Sequence, residues 1–158
     1  MAHSDDEQRW MRRALALAEE AAAQGEVPVG ALVVSPEGAV IAEAANAPIA
    51  SNDPTAHAEI VAMRRAASAL GNYRLVGCTL VVTLEPCAMC AGAISHARVA
   101  RLVYAASDPK GGAVEHGPQL FAQPTVHHRP AVSAGCFAEE SAALLRDFFR
   151  ARRGRPGR

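Results

Sequence analysis

The stretch TLEPCAMCAG, residues 83–92, decides how this chain is read. It holds two of the four cysteines, Cys87 and Cys90, three positions apart and directly behind Pro86. A Cys-x-x-Cys pair serves as a redox dithiol, as half of a closed structural zinc site, or as part of an open catalytic one. The preceding run CTLVVTL, residues 78–84, is β-rich and uncharged, the pattern of a strand covered on both faces. Pro86 suits a helix start, and the spacing predicts a helix from there to about His96. The cysteine pair therefore sits where a buried strand hands over to a helix.

The same alternation extends outward in both directions. A first helix is expected over about residues 6–23, ended by Gly25. VPVGALVV and AVIAEAA flank SPEG as a strand–turn–strand hairpin. DPTAHAEIVAMRRAASALG reads as a helix, with Asp53 as a possible cap, Pro54 in its first turn and Gly71 beyond its end. ARLVYAA is a further strand, and SDPKGGA is a glycine-rich loop. VEHGPQLFAQPTVHHRPAV mixes loop with short elements. FAEESAALLRDFFRARR is a closing helix with Phe137, Leu144, Leu145 and Phe148 on one side. Helices that alternate with strands after an initial hairpin predict an α/β sandwich built on a mixed sheet.

Composition narrows the class. A chain of 158 residues, half of them apolar and a fifth charged, supports one domain with a sizeable core. Four cysteines are too few to staple a fold of this size. The N-terminal segment is acidic and then amphipathic, and nowhere do about 18 apolar residues run together, so neither a leader nor a membrane span is expected. The expected location is the cytoplasm. Net charge is zero but uneven: residues 1–60 carry ten acids against three arginines, residues 61–158 thirteen bases against six acids. The last thirteen residues, RDFFRARRGRPGR, hold six arginines. Such an end can attract a polyanion, since arginine forks suit phosphates; it can equally be a solvated tail.

Two thiolates do not complete a zinc site. A catalytic centre needs three protein ligands and a structural one four. Cys78 lies in the apolar run and Cys136 in no paired motif, so both read as small buried hydrophobes. Of six histidines, only His57 has a carboxylate two residues on, Glu59, in DPTAHAE. Two positions are about 200° around a helix, so the pair shares a site only if the helix points its N-terminal end at it. Two helix ends converging would present His57, Cys87 and Cys90 together and favour thiolate over thiol. That leaves Glu59 as an unliganded carboxylate beside an open metal site. His-x-Glu followed by Pro-Cys-x-x-Cys is the recurring signature of zinc-dependent nucleobase deaminases. The chemistry expected is hydrolytic: activated water attacks the ring carbon that bears the exocyclic amine, and Glu59 shuttles the proton.

Beyond this signature, EVPVGALVV, NAPI, DPTAHAEIVAMR, NYRL, TLEPCAMCAGAI, DPKGGA and LLRDFFRARR occur in an order and spacing that resemble the bacterial tRNA-specific adenosine deaminases of the cytidine/deoxycytidylate deaminase superfamily. The resemblance covers about residues 7–153. It implies a three-layer α/β/α sandwich with a mixed sheet of about five strands, in one deaminase domain over residues 1–153; the basic tail at 154–158 lies outside the resemblance. It implies conversion of adenosine to inosine at the wobble position of a tRNA anticodon, by a homodimer with one Zn2+ per subunit. His57, Cys87 and Cys90 match the zinc ligands and Glu59 the proton shuttle. Asn46 matches a base-reading asparagine, and Asp108 and Lys110 fall in an RNA-contacting loop. Phe149, Arg150, Arg152 and Arg153 would meet the tRNA anticodon stem-loop, with Phe148 in the core instead. The main rival is a deaminase of a free base or nucleoside; a zinc- or RNA-binding module without activity and a redox protein are more distant ones. Glu85, just before Pro86, finds no assignment: it either caps that helix or orients a neighbouring group.

Overall fold

The computed structural model describes residues 3–154, so the end of the basic tail, residues 155–158, lies outside the described residues. The element order is α1 (Asp5–Ala23), β1 (Gly30–Val34), β2 (Val40–Ala45), α2 (Pro48–Ser51), α3 (Ala58–Leu70), β3 (Thr79–Leu84), α4 (Ala88–Ala97), β4 (Arg101–Ala106), β5 (Ala131–Ala134) and α5 (Ala138–Arg153), with a 3-10 turn at Leu120–Ala122.

Five strands form one sheet in the order β2-β1-β3-β4-β5. β1 pairs antiparallel with both β2 and β3, whereas β3–β4 and β4–β5 are parallel. The sheet is mixed because a short turn can reverse β1 into β2, but α4 must carry the chain over the sheet between β3 and β4. The central strands β1, β3 and β4 are predominantly apolar because both faces are covered. Val33, Leu80, Val82, Leu102 and Tyr104 face α3 and α4, where Met63 and Ile94 pack. Leu32, Val34, Val81 and Val103 face the opposite layer with Met11 and Leu17 of α1. These two cores make the three-layer sandwich. Cys78 belongs to the first and Cys136 to the second, both buried and unpaired, as small apolar side chains should be.

α1 starts where Ser4 accepts the Glu7 amide at 3.1 Å and Asp5, Asp6 and Glu7 face the positive helix end. Its packing on β1 is close: a Cβ added at Gly30 would lie 2.1 Å from the Ala14 carbonyl oxygen. Two local features differ from expectation. α3 begins at Ala58, with His57 at its N-cap in extended conformation, so Pro54 belongs to the turn before the helix and not to its first turn. Asp53 caps that turn, its carboxylate accepting the Thr55 amide and hydroxyl. Likewise α4 begins at Ala88 with Cys87 at its N-cap, one residue after Pro86. Residues 114–132, expected to mix loop with short elements, hold the 3-10 turn and run into β5, an edge strand whose residues are largely exposed and which has no apolar period of its own. Among the described residues no helix is long and apolar enough to cross a membrane.

Candidate active site

The N-cap position explains how His57 and Cys87 reach the same point. A cap residue keeps extended backbone angles and directs its side chain across the helix mouth rather than along its flank. His57 therefore projects from the end of α3 and Cys87 from the end of α4, while Cys90, one turn into α4, returns to the same side. His57 Nδ1 lies 3.6 Å from Cys87 Sγ and 3.5 Å from Cys90 Sγ. Among the described residues this is the cluster of three metal-type donors, all within 4.8 Å of one another.

The donor set fits zinc. A tetrahedral centre with bonds of about 2.0–2.1 Å to nitrogen and about 2.3 Å to sulfur has N···S edges of about 3.6 Å. Both observed N···S separations agree with that edge. Three protein donors also leave one tetrahedral position for solvent, the arrangement of catalytic rather than structural zinc.

The protein's own groups polarise one another. Cys87 is held down to about 4, chiefly by its hydrogen bond with Cys90, against burial and with help from His57. Cys90 is pushed up, because it keeps the proton it shares with Cys87 and is buried. His57 moves up through its contact with Cys87. Glu59, 4% exposed at the second position of α3, is pushed up chiefly by burial.

A cavity of about 230 Å³ opens beside this cluster, with His57, Glu59 and Cys87 in its wall. Val27, Val29 and Leu84 supply apolar surface for a flat ring, and Asn46 and Asp108 face it as polar groups. Asn46 is buried and its backbone N–H donates to the Val29 carbonyl at 2.9 Å, which fixes it at the end of β2. The buried Glu26 secures the next residues, accepting the Ile49 and Ala50 amides at 3.2 and 2.8 Å. Asp108 Oδ1 accepts the amides of Lys110 and Gly111, so its side chain shapes its own turn. Lys110, Phe149, Arg150, Arg152 and Arg153 do not line the cavity. Phe149 is exposed at 41%, and the Arg152 guanidinium sits 5.4 Å from the Phe148 ring centroid. Phe148 is half-buried and belongs to neither apolar core, so it is not the core ring expected from the sequence, although it is less exposed than Phe149.

Glu85 is the site residue whose role the sequence did not disclose. It is 2% exposed, lines the cavity, and reaches over the loop after β4. Oε1 accepts the Asp108 amide at 2.9 Å, and Oε2 accepts the amides of Val114, Glu115 and His116 at 3.1, 2.9 and 3.1 Å. The His116 imidazole adds a contact at 2.8 Å. Burial works to raise its pKa, but these donors outweigh it and leave the carboxyl below its ordinary value. The one signal for this in the sequence is an unassigned acid placed directly between a buried strand and a proline.

A metal-capable His-Cys-Cys cluster with a free buried carboxyl, at the mouths of two helices on a mixed sheet, defines a zinc-type deaminase fold. Residues 4–106 match the family model for the cytidine and deoxycytidylate deaminase zinc-binding region, and the chain belongs to that family. Within it, the chain is 54% identical over 144 residues to the tRNA-specific adenosine deaminase of Agrobacterium fabrum (strain C58), covering 91% of this chain and 94% of that one. A solved structure from work on A-to-I editing by tRNA:A34 deaminases at the wobble position of transfer RNA superposes with a TM-score of 0.85. It is 53% identical and covers 87% of this chain and 99% of that one. The guanine deaminase of Bacillus subtilis is more distant, at TM-score 0.63 and 34% identity, with 100% and 98% covered.

Proposed function

We propose that this chain is a tRNA-specific adenosine deaminase that converts adenosine to inosine at the wobble position of an anticodon. The observation that carries the reading is the convergence of His57, Cys87, Cys90 and Glu59 on one small cavity, in a chain 54% identical to a relative of that name. We further read residues 1–153 as one deaminase domain with a basic tail at 154–158, working in the cytoplasm as a homodimer with one zinc per subunit.

His57, Cys87 and Cys90 would hold the zinc, which when bound lowers the pKa of a water so that it can act as a nucleophile near neutral pH. The remaining work falls to the chain. The apolar wall of Val27, Val29 and Leu84 takes the flipped base out of water, and the Asn46 amide pairs with its polar edge. Glu59 accepts the proton of the attacking water and delivers it to the ring nitrogen beside the reacting carbon. A C–O bond forms at C6; Glu59 then takes the proton of the new C6 hydroxyl and passes it to the exocyclic nitrogen as the C–N bond breaks, so that ammonia leaves and the C6 oxygen becomes the carbonyl of inosine. The balance is adenosine plus water to inosine plus ammonia. At the cavity wall, Asp108 would accept a ribose hydroxyl, the group that marks RNA. Lys110, Arg150, Arg152 and Arg153 supply phosphate contacts and Phe149 a stacking surface.

The rival reading is a free-base deaminase, favoured by the likeness to a guanine deaminase. One experiment separates them. The protein is incubated with adenosine-wobble tRNA transcripts, free adenosine, cytidine and guanine, and inosine, uridine, xanthine and ammonia are measured. Inosine formed in tRNA is expected. Ammonia from a free base with none from tRNA overturns the proposal.

A further inference from the structure

We infer that Glu85 is a positioning residue for the substrate-contacting loop, holding residues 108–116 against the base cavity as a carboxylate wrapped in backbone amides. The role rests on the function proposed above. Its support is geometric. One buried side chain accepts four backbone N–H groups at 2.9–3.1 Å, drawn from both ends of the loop, and contacts the His116 ring. Successive amides that converge on an anion form a preorganised nest, and here the anion belongs to the protein.

The loop's glycines are fitted to this carboxylate. A Cβ at Gly112 would lie 2.4 Å from the Glu85 carboxyl carbon and 2.6 Å from the Asp108 carbonyl oxygen. Backbone contacts complete the attachment: the Glu85 amide donates to the Ala106 carbonyl at 2.8 Å, and the Ala113 amide to that of Pro86 at 2.9 Å. Glu85 and Pro86 directly precede the ligand Cys87, so the loop hangs from the segment that aims α4 at the metal. Asp108 takes its place in the cavity wall by donating its amide to Glu85 while its side chain closes the turn over Lys110 and Gly111. A carboxylate that only capped α4 would bond amides of α4; this one bonds none of them.

The consequence is specific to substrate capture. Glu85 touches neither the ligand donors nor Glu59 by any hydrogen bond, so loosening the loop should cost binding of the nucleic acid more than turnover of what is bound. The test uses the zinc-loaded protein with Glu85→Gln and His116→Ala, measuring zinc content, thermal unfolding and steady-state kinetics on an anticodon stem-loop. Glu85→Gln is expected to keep its zinc and to raise KM about tenfold or more, with kcat within about threefold of the parent. His116→Ala, which removes one partner and leaves the amides bonded, should move KM in the same direction by less. Loss of zinc in both variants, or a fall in kcat at unchanged KM, overturns the positioning role. So does an unchanged KM in Glu85→Gln beside an active parent. If the parent itself forms no inosine in the stem-loop, the functional reading fails, and the role assigned to Glu85 falls with it.

Discussion

His57 Nδ1 and Cys90 Sγ lie 3.5 Å apart across thirty-three residues of chain, because the mouths of α3 and α4 meet beyond the end of β3. Both helices present a cap residue to the same point, so the candidate metal donors sit at helix ends and not in a loop. Glu59, two residues further on and inside α3, is not a member of the cluster.

The two kinds of residue should therefore fail differently. Cys87→Ser and Cys90→Ser are expected to lose bound zinc, and with it activity. Glu59→Ala should keep zinc and lose turnover by about 10²–10⁴-fold, the usual worth of a positioned acid–base group. Zinc content by atomic absorption beside inosine yield checks both; a Glu59→Ala protein with near-parental turnover would remove it from the role. Removing the metal with a chelator should abolish activity, and adding zinc should restore it.

Arginines 150, 152 and 153 cluster in the last turn of α5. If they meet phosphates, each change to alanine should weaken stem-loop binding similarly for all sequences and flatten the dependence of log K on log salt by about 0.7 for single-stranded contacts. Fluorescence anisotropy across a salt series measures this. Slopes identical to the parent's for all three variants would assign the tail end of α5 to solvent instead.

At Gly30 the α1–β1 contact leaves no room for a methyl group. Its Cβ would meet the Ala14 carbonyl oxygen at 2.1 Å and the Ala18 amide nitrogen at 2.8 Å, which are backbone atoms and cannot rotate away. Gly30→Ala is expected to cost about 3 kcal/mol or more, at the high end for overpacking. A chemical-denaturation midpoint close to the parent's would show that α1 can lift from the sheet.

Arg13 grips the Glu43 carboxylate with Nε at 2.6 Å and Nη2 at 2.9 Å, joining α1 to β2. This hydrogen-bonded pairing holds the Glu43 carboxyl below its ordinary value. A depressed folded-state pKa contributes stability above the unfolded value and loses it as pH falls through the folded one. Both side chains are partly exposed, so Glu43→Gln should cost less than about 1 kcal/mol at neutral pH, and the difference from the parent should vanish in acid. Unfolding free energies at several pH values test the sign; a gap that widens as pH falls contradicts it.

The sequence alone determined the parts of this protein that local chemistry carries. The β-rich uncharged run of β3, the capping and glycine signals around the helices, and two short donor motifs in the right order were enough for an α/β sandwich on a mixed sheet and for naming His57, Cys87, Cys90 and Glu59 as candidates; the layer count came from the family resemblance. The tertiary structure decided what depends on partners distant in the chain. β5 has four largely exposed residues and no period, and it is a strand only because β4 offers a parallel edge. The prolines looked like helix starts, yet the helices begin later, since His57 and Cys87 must stay extended to cross the helix mouths. Glu26 and Glu85 could not be assigned from their neighbours because the amides they accept lie more than twenty residues away. A buried carboxylate is explained by the donors that surround it, and those are brought together only by the fold.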